Sequence, residues 1–380
     1  MYDLLIKNAD IHTGEQALHG DIAVRGGKIA AVAPRIDAAA LETADAGGLL
    51  IIPGGVDAHT HFGLLSGENR TADGYAAGSA AALAGGTTCF IEHISFGPPG
   101  SLPSALVTAA ARQAAGESLI DYSLHGVVQS ADVDSLLDVA SLPRQGVTSL
   151  KAYMTYDYAL NASTLAPVLK TCRELGLLLC VHAEDDHILG LERQRLLAAG
   201  NLQPAWHGKS RPRICEALAI SNLLRAARQA DDAPIYIVHV STADGLAVIR
   251  DARQREQQNI YVETCPQYLL RDESMYQGEL ALNAVMSPPL RSAADCEALW
   301  KALAAGEIDV VATDHCAFSP AQKRQGQHNF LLCPNGAPGA GERMLLMFAA
   351  GVRQRRISLQ RMLEVCCLNP ARLFGLAQKG

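Results

Sequence analysis

A chain of 380 residues with 49% apolar and 19% charged residues is too long for one small core and too apolar for intrinsic disorder, which fits one large α/β domain with room for an appendage. Its net charge of −7 offers no basic phosphate-binding surface and excludes a dedicated nucleic-acid binder. Ten cysteines without a C-x-x-C pair, an N-terminus (MYDLLIKNAD) without a basic-then-apolar leader, and no apolar run near the roughly 20 residues of a membrane span read as a cytoplasmic protein with reduced thiols, not membrane-bound.

The first 50 residues carry short alternating segments, Asp3–Lys7, Asp21–Val24 and Lys28–Val32, separated by Gly-rich turns such as Arg25-Gly26-Gly27. They predict a small antiparallel β unit over residues 1–52. From residue 53 to 380 the rhythm changes. Eight short apolar runs recur: LLIIPGGVDAHTH (49–61), TTCFIEH (87–93), YSLHGVV (122–128), VTSLKAY (147–153), LLLCVHAE (177–184), IYIVHVS (235–241), IYVETCP (260–266) and VVATDH (310–315). Helical stretches lie between them. The clearest is Arg211–Ala230, with apolar residues at Ile214, Leu218, Leu223 and Ala227. Strands apolar throughout and alternating with helices predict a parallel sheet covered on both faces. Eight units favour a closed (β/α)8 TIM barrel over an open doubly wound sheet, and no Gly-x-Gly-x-x-Gly opens a helix.

In such a barrel the active site lies at the C-terminal ends of the strands. The first strand ends in His59-Thr60-His61, whose imidazoles, two residues apart, project to one side. The fifth ends at His182, the sixth at His239, the eighth at Asp314, and the fourth carries Lys151. A lone His at a strand end is more often a hydrogen-bonded structural residue. Four strands carrying such groups at one end instead predict a site for Zn²⁺ or a similar divalent ion. Lys151 in a buried strand has two readings: an ion pair with Asp314 or Glu263, or a neutral amine that takes up carbon dioxide as a carbamate ligand.

Taken together, GGVDAHTH (54–61), LKAYMTY (150–156), CVHAED (180–185), IVHVST (237–242), ETCPQYLL (263–270), SPPLR (287–291), ATDHCAF (312–318) and NGAPGAGERMLL (335–346) resemble the cyclic amidohydrolases, most closely the dihydropyrimidinase and D-hydantoinase branch, in family order over nearly the whole chain. The resemblance implies two divalent metal ions, usually zinc. His59, His61 and Asp314 would bind the first, His182 and His239 the second, and carboxylated Lys151 would bridge them. It implies ring opening of a hydantoin or dihydropyrimidine to an N-carbamoyl amino acid by hydroxide held between the metals. Asp314 would shuttle the proton, Tyr156 would face the oxyanion, and Ser287 and Asn335 would hold the ring amide through the main chain. Relatives of this kind are commonly homotetramers, so a tetramer or dimer is expected.

Some positions depart from neighbouring branches. Gly63 stands where dihydroorotases carry a carboxylate-binding Arg, and the Asn-Glu-Pro segment of allantoinases is absent. The loop FGLLSGENRT (62–71) and the ending Ile91-Glu92-His93 differ from the usual hydantoinase pattern; a structural role is expected for His93. Leu64, Leu65, Phe96 and Tyr158, on loops at the strand ends, are expected to contact an exocyclic substituent. Allantoin, dihydroorotate or a cyclic imide are the alternative substrates. A non-catalytic scaffold of the same fold is the alternative from another class, and the filled ligand positions oppose it. Relatives also continue past Asn369–Phe374 with strands that join the N-terminal unit in a small sandwich, so residues 1–52 are expected to form only a partial β-sandwich here, lacking its partner strands.

Overall fold

The computed structural model describes residues 1–376 and 378–379. The N-terminal unit contains β1 (Tyr2–His12), β2 (Ala17–Arg25), β3 (Lys28–Ala33), β4 (Ala40–Asp45) and β5 (Leu50–Ile51). It is a mixed sheet, not the antiparallel one expected. β1 runs antiparallel to β2 but parallel to β4 and β5. The reason is the path of the chain: after β3 it crosses to the far side of β1, and a strand arriving there runs in the same direction as β1. Gly26 and Gly27, at φ 59° and 72°, close the β2–β3 hairpin in a turn that requires positive φ at both central positions. Each face carries an apolar cluster, one around Ile11 and Ile22, the other around Leu5 and Ala23.

The run over residues 49–61 is divided between the two units. Leu50–Ile51 pairs with β1, and β6 (Gly55–Thr60) opens a second sheet. A hairpin of β7 (Leu65–Ser66) and β8 (Asn69–Arg70) follows. Then come β9 (Thr87–His93), β10 (Asp121–Val127), β11 (Ser149–Tyr153), β12 (Leu178–His182), β13 (Ile235–Ile237), β14 (Ile260–Thr264) and β15 (Val310–Val311). β6 and β9–β15 form one parallel eight-stranded sheet, with helices between the strands. This is the (β/α)8 barrel the apolar runs predict. Every residue of β6, β9 (except Thr88), β11 and β12 is buried, as expected of strands covered on both faces.

Closure of the ring is made differently from the rest of it. β15 has two residues, too few for a ladder with β6. The seam is instead spanned by Asp57, whose carboxylate accepts from the Thr313 N–H at 3.0 Å and from its hydroxyl at 2.7 Å. Beyond it the His61 N–H donates to the His315 carbonyl at 2.8 Å. Phe374, after the helix Asn369–Leu373, packs into the barrel floor against His125 and Tyr236.

The helix predicted over Arg211–Ala230 spans Arg213–Gln229, but its buried face is set differently. Ile214 and Leu218 are exposed, whereas Cys215, Ala219, Ile220 and Leu223 are buried. Glu216 turns the buried face, because its carboxylate accepts from the Ser241 N–H at 3.0 Å and the Thr242 N–H at 2.9 Å. That bond fixes the turn directly after His239. The N-terminal sheet meets the barrel at the β1–β2 turn, where Gly14 (φ 87°) lies so close to Leu368 that a Cβ would push that side chain aside.

Candidate active site

β6 and the residue that follows it deliver His59 and His61 to one side of the barrel mouth, as the two-residue spacing of extended chain favours. Their Nε2 atoms face each other at 3.3 Å, and Asp314 Oδ1 lies 3.1 Å from the first and 3.3 Å from the second. All three donor atoms therefore lie within 4.8 Å of one another. Asp314 reaches this point because the backbone after β15 turns at a φ of 52°. Two imidazole nitrogens and a carboxylate oxygen converging on one point form a donor set that suits a borderline divalent cation.

Glu263 on β14 accepts from His59 Nδ1 at 2.7 Å, from the Tyr236 hydroxyl at 2.8 Å and from the His239 N–H at 2.9 Å. With Nδ1 engaged, Nε2 is the nitrogen left to bind a cation. The same carboxylate fixes the backbone of His239, which stands at a φ of 40°. Burial draws the His59 pKa down, but Glu263 and Asp314 outweigh it and the net direction is up. Burial takes His61 to about 4, so it is a neutral donor. Burial also pulls the Asp314 carboxyl upward, yet His59 and His61 hold it well below the usual range.

His182 and His239 lie beside this group with ring centroids 4.6 Å apart, and His239 is 5.5 Å from His59. They stand outside the tight three-donor cluster; His182 Nε2 is bonded to Glu184 at 2.8 Å. Lys151, 1% exposed, enters from β11 with its ammonium 5.1 Å from the Tyr153 ring centre. Among the described residues it has no ion pair with Asp314 or Glu263, the bland alternative for this residue. Burial pushes its pKa down against both carboxylates.

Tyr156, at a φ of 73°, completes the wall of one cavity of about 860 Å³, which also takes in His59, Lys151, His182, His239 and Asp314. Burial raises its pKa against Arg211, so the phenol keeps its proton. Arg211 is fully buried and ion-paired to Glu184, and its Nη2 donates to the Tyr156 oxygen at 3.4 Å. Burial pulls the Glu184 carboxyl upward, but Arg211 and His182 bring it to about 2. Ser287 and Asn335 also line the cavity, and their Oγ and Oδ1 atoms are buried without a hydrogen-bond partner. Leu64, Leu65, Phe96 and Tyr158 form the outer wall. Phe96 packs on Tyr153 at 5.0 Å and on Tyr158 at 4.8 Å.

His93 does not reach the mouth. It is wholly buried beneath His59, 4.2 Å between ring centres, and stacked on His125 at 4.0 Å. Its neighbour Glu92 accepts from the Gly63 N–H at 2.8 Å and the Thr60 hydroxyl at 2.6 Å, and so anchors the start of the loop that follows β6. Sequence reasoning missed the supporting layer of Glu184, Arg211 and Glu216, and weighed Glu263 only as a partner for Lys151. The available signal was two acids inside apolar runs, Glu184 in the run that carries His182 and Glu263 in IYVETCP (260–266).

The model of the amidohydrolase family matches residues 50–380. The chain is 41% identical over 383 residues to a D-phenylhydantoinase of Escherichia coli O1:K1 / APEC, covering 99% of this chain and 82% of that one. Among solved structures, dihydropyrimidinase from Brevibacillus agri NCHU1002 superposes with a TM-score of 0.97 at 34% identity, covering 100% of this chain and 83% of the other. An L-hydantoinase (dihydropyrimidinase) from Arthrobacter aurescens superposes at 0.90 with 29% identity, covering 99% and 83%. The barrel, the donor group at its mouth and these likenesses agree, and the chain belongs to the amidohydrolase family, in its hydantoinase and dihydropyrimidinase branch.

Proposed function

We propose that the protein opens a cyclic amide, a hydantoin or dihydropyrimidine, by metal-dependent hydrolysis to an N-carbamoyl amino acid. The observation that carries this reading is the convergence of His59, His61 and Asp314 within 4.8 Å, in a cavity that also holds Lys151, His182, His239 and Tyr156. Those donors fit a divalent pair, zinc by likeness to the family: His59, His61 and Asp314 for one ion, His182 and His239 for the other. Lys151, carboxylated to a carbamate, would serve as an oxygen ligand to the pair, a reaction open to a buried amine whose pKa is lowered. When bound, such a pair lowers the pKa of water and polarises a carbonyl.

The chain's own groups perform the remaining tasks. Asp314, ionised and within reach of the reacting centre, takes the proton from attacking water and passes it to the ring nitrogen as the C–N bond breaks. Tyr156 donates its O–H to the carbonyl oxygen as negative charge builds there. Arg211 points its N–H at the phenol oxygen, which leaves the phenol proton free for the substrate. Main-chain groups at Ser287 and Asn335 hold the ring amide, and Leu64, Leu65 and Phe96 meet the exocyclic substituent. Ten free cysteines, nine of them buried, support placement in the reducing cytoplasm, and the family likeness supports a dimer or tetramer. A turnover panel of hydantoin, dihydrouracil, allantoin, dihydroorotate and succinimide tests the assignment. Turnover of hydantoin or dihydrouracil is expected; hydrolysis of none, with metal bound, would overturn it in favour of a scaffold.

A further inference from the structure

Lys323 is 4% exposed and belongs to neither the donor group nor the cavity wall. It ends the short helix Pro320–Lys323, whose first turn is fixed by the Ser319–Gln322 capping box. Among the described residues no carboxylate pairs with its ammonium. Its three protons go instead to three carbonyls: Val285 at 2.8 Å, Pro334 at 2.9 Å and Gly336 at 2.6 Å. The first lies two residues before Ser287, and the other two flank Asn335. A lone buried cation is costly, and a Met or Leu would fill the same space without that cost. What an ammonium adds is three directed bonds that determine where those carbonyls point.

We propose that Lys323 is a positioning residue that sets the spacing and orientation of the two backbone segments that grip the ring. Apart from it, the segments are joined by a bond from the Gly336 N–H to the Val285 carbonyl at 3.1 Å. In a trans peptide the N–H and C=O point in opposite directions. Turning the Pro334 carbonyl toward Lys323 therefore turns the Asn335 N–H away from it. Lys323 stands behind the wall that Asn335 and Gly336 line, so that donor is directed to the cavity side. Lys323 lies nine residues past Asp314, which ties ring grip and proton transfer to one loop.

This inference rests on the reading of Ser287 and Asn335 as ring-binding, and the test separates the two. Lys323→Met should raise the KM for hydantoin about tenfold, the effect of one lost hydrogen bond to a polar ligand. It should change kcat less than about threefold by the same argument, because the reacting groups stay in place. Metal content and inhibition by acetohydroxamate, which is directed at the metals and needs no ring contact, should not change. An unchanged KM in the folded variant refutes the role; so does a parallel loss of KM, kcat and acetohydroxamate affinity, the pattern of a general structural defect. Should the Met variant not fold, Lys323→Gln keeps two donors, and a ring-selective rise in KM is still expected; an unchanged KM again refutes it. Methylation of the ring amide probes the underlying reading. A wild-type enzyme indifferent to it removes Ser287 and Asn335 from ring binding, and the clamp with them. An enzyme that rejects the methylated ring yet keeps its KM after Lys323→Met removes Lys323 alone.

Discussion

Lys151 sits among His59, His61, His182 and His239, where a fixed positive charge would repel any cation those imidazoles hold. Lys151→Ala should abolish metal retention and turnover together, and a small carboxylic acid in solution should partly restore turnover. Lys151→Arg should not rescue, because a guanidinium stays charged and forms no carbamate. Metal analysis and assay of the three proteins check this; full metal content in the Ala variant would sink it. Tyr156→Phe should lower kcat by about 10²–10³, the usual effect of losing one oxyanion donor, with metal content unchanged. Arg211→Leu tests the layer behind it. Glu184 would remain buried with only His182 as partner, and one-sided loss of a buried ion pair costs about 3–5 kcal/mol. A sharply lowered melting temperature is expected, and an unaltered one would show that the pair carries little.

Loops and strands divide the work between rigidity and choice. Phe96→Ala opens the wall shared with Tyr153 and Tyr158 and should shift preference among 5-substituted hydantoins while metal content stays the same; identical selectivity profiles would contradict it. In the N-terminal sheet, Asp21 accepts from the Ile36 N–H at 2.8 Å and the Asn8 N–H at 3.0 Å, and these bonds lower its pKa. A carboxyl lowered in the folded state stabilises above its unfolded pKa, and that contribution fades as the solution is acidified through the folded value. Asp21→Asn should therefore lower the melting temperature at neutral pH and have little effect at strongly acid pH. Equal losses at both would oppose this account. The eight strands and the residues at their ends were legible because eight apolar runs bounded by turns alternate with helical stretches along the chain. The sheet direction in residues 1–52 was not, because short alternating strands look the same in either direction and the crossing after β3 leaves no sequence mark. The faces of the helix at Arg213–Gln229 were misread at Ile214 and Leu218 because Glu216, held by Ser241 and Thr242, turns an acid inward, which periodicity scores as outward. Arg211 and Glu184 were passed over for a related reason: charge usually signals surface, and only the fold shows that these two neutralise each other inside.

Across the whole molecule the small sheet rests on the barrel through the Gly14 turn and the ion pair of Glu15 with Arg372. Ile29, Leu41, Leu49 and Leu50 remain exposed on and beside that sheet, far from the chemistry. The seam between β15 and β6 has a different consequence. His59 and His61 stand on one side of it and Asp314 on the other, so an ion held by all three fastens the ring where its own ladder is thinnest. An ion there would add a cross-link to the Asp57–Thr313 bonds. Amide hydrogen exchange should show it: stripping the metal with a chelator should accelerate exchange at His61, Thr313 and His315 well before the strands opposite, β11 and β12, are affected. Uniform exchange around the ring would mean that the Asp57–Thr313 bonds keep the seam closed by themselves. Faster exchange confined to the seam would mean that the donors gathered at the barrel mouth also govern how long the ring stays shut.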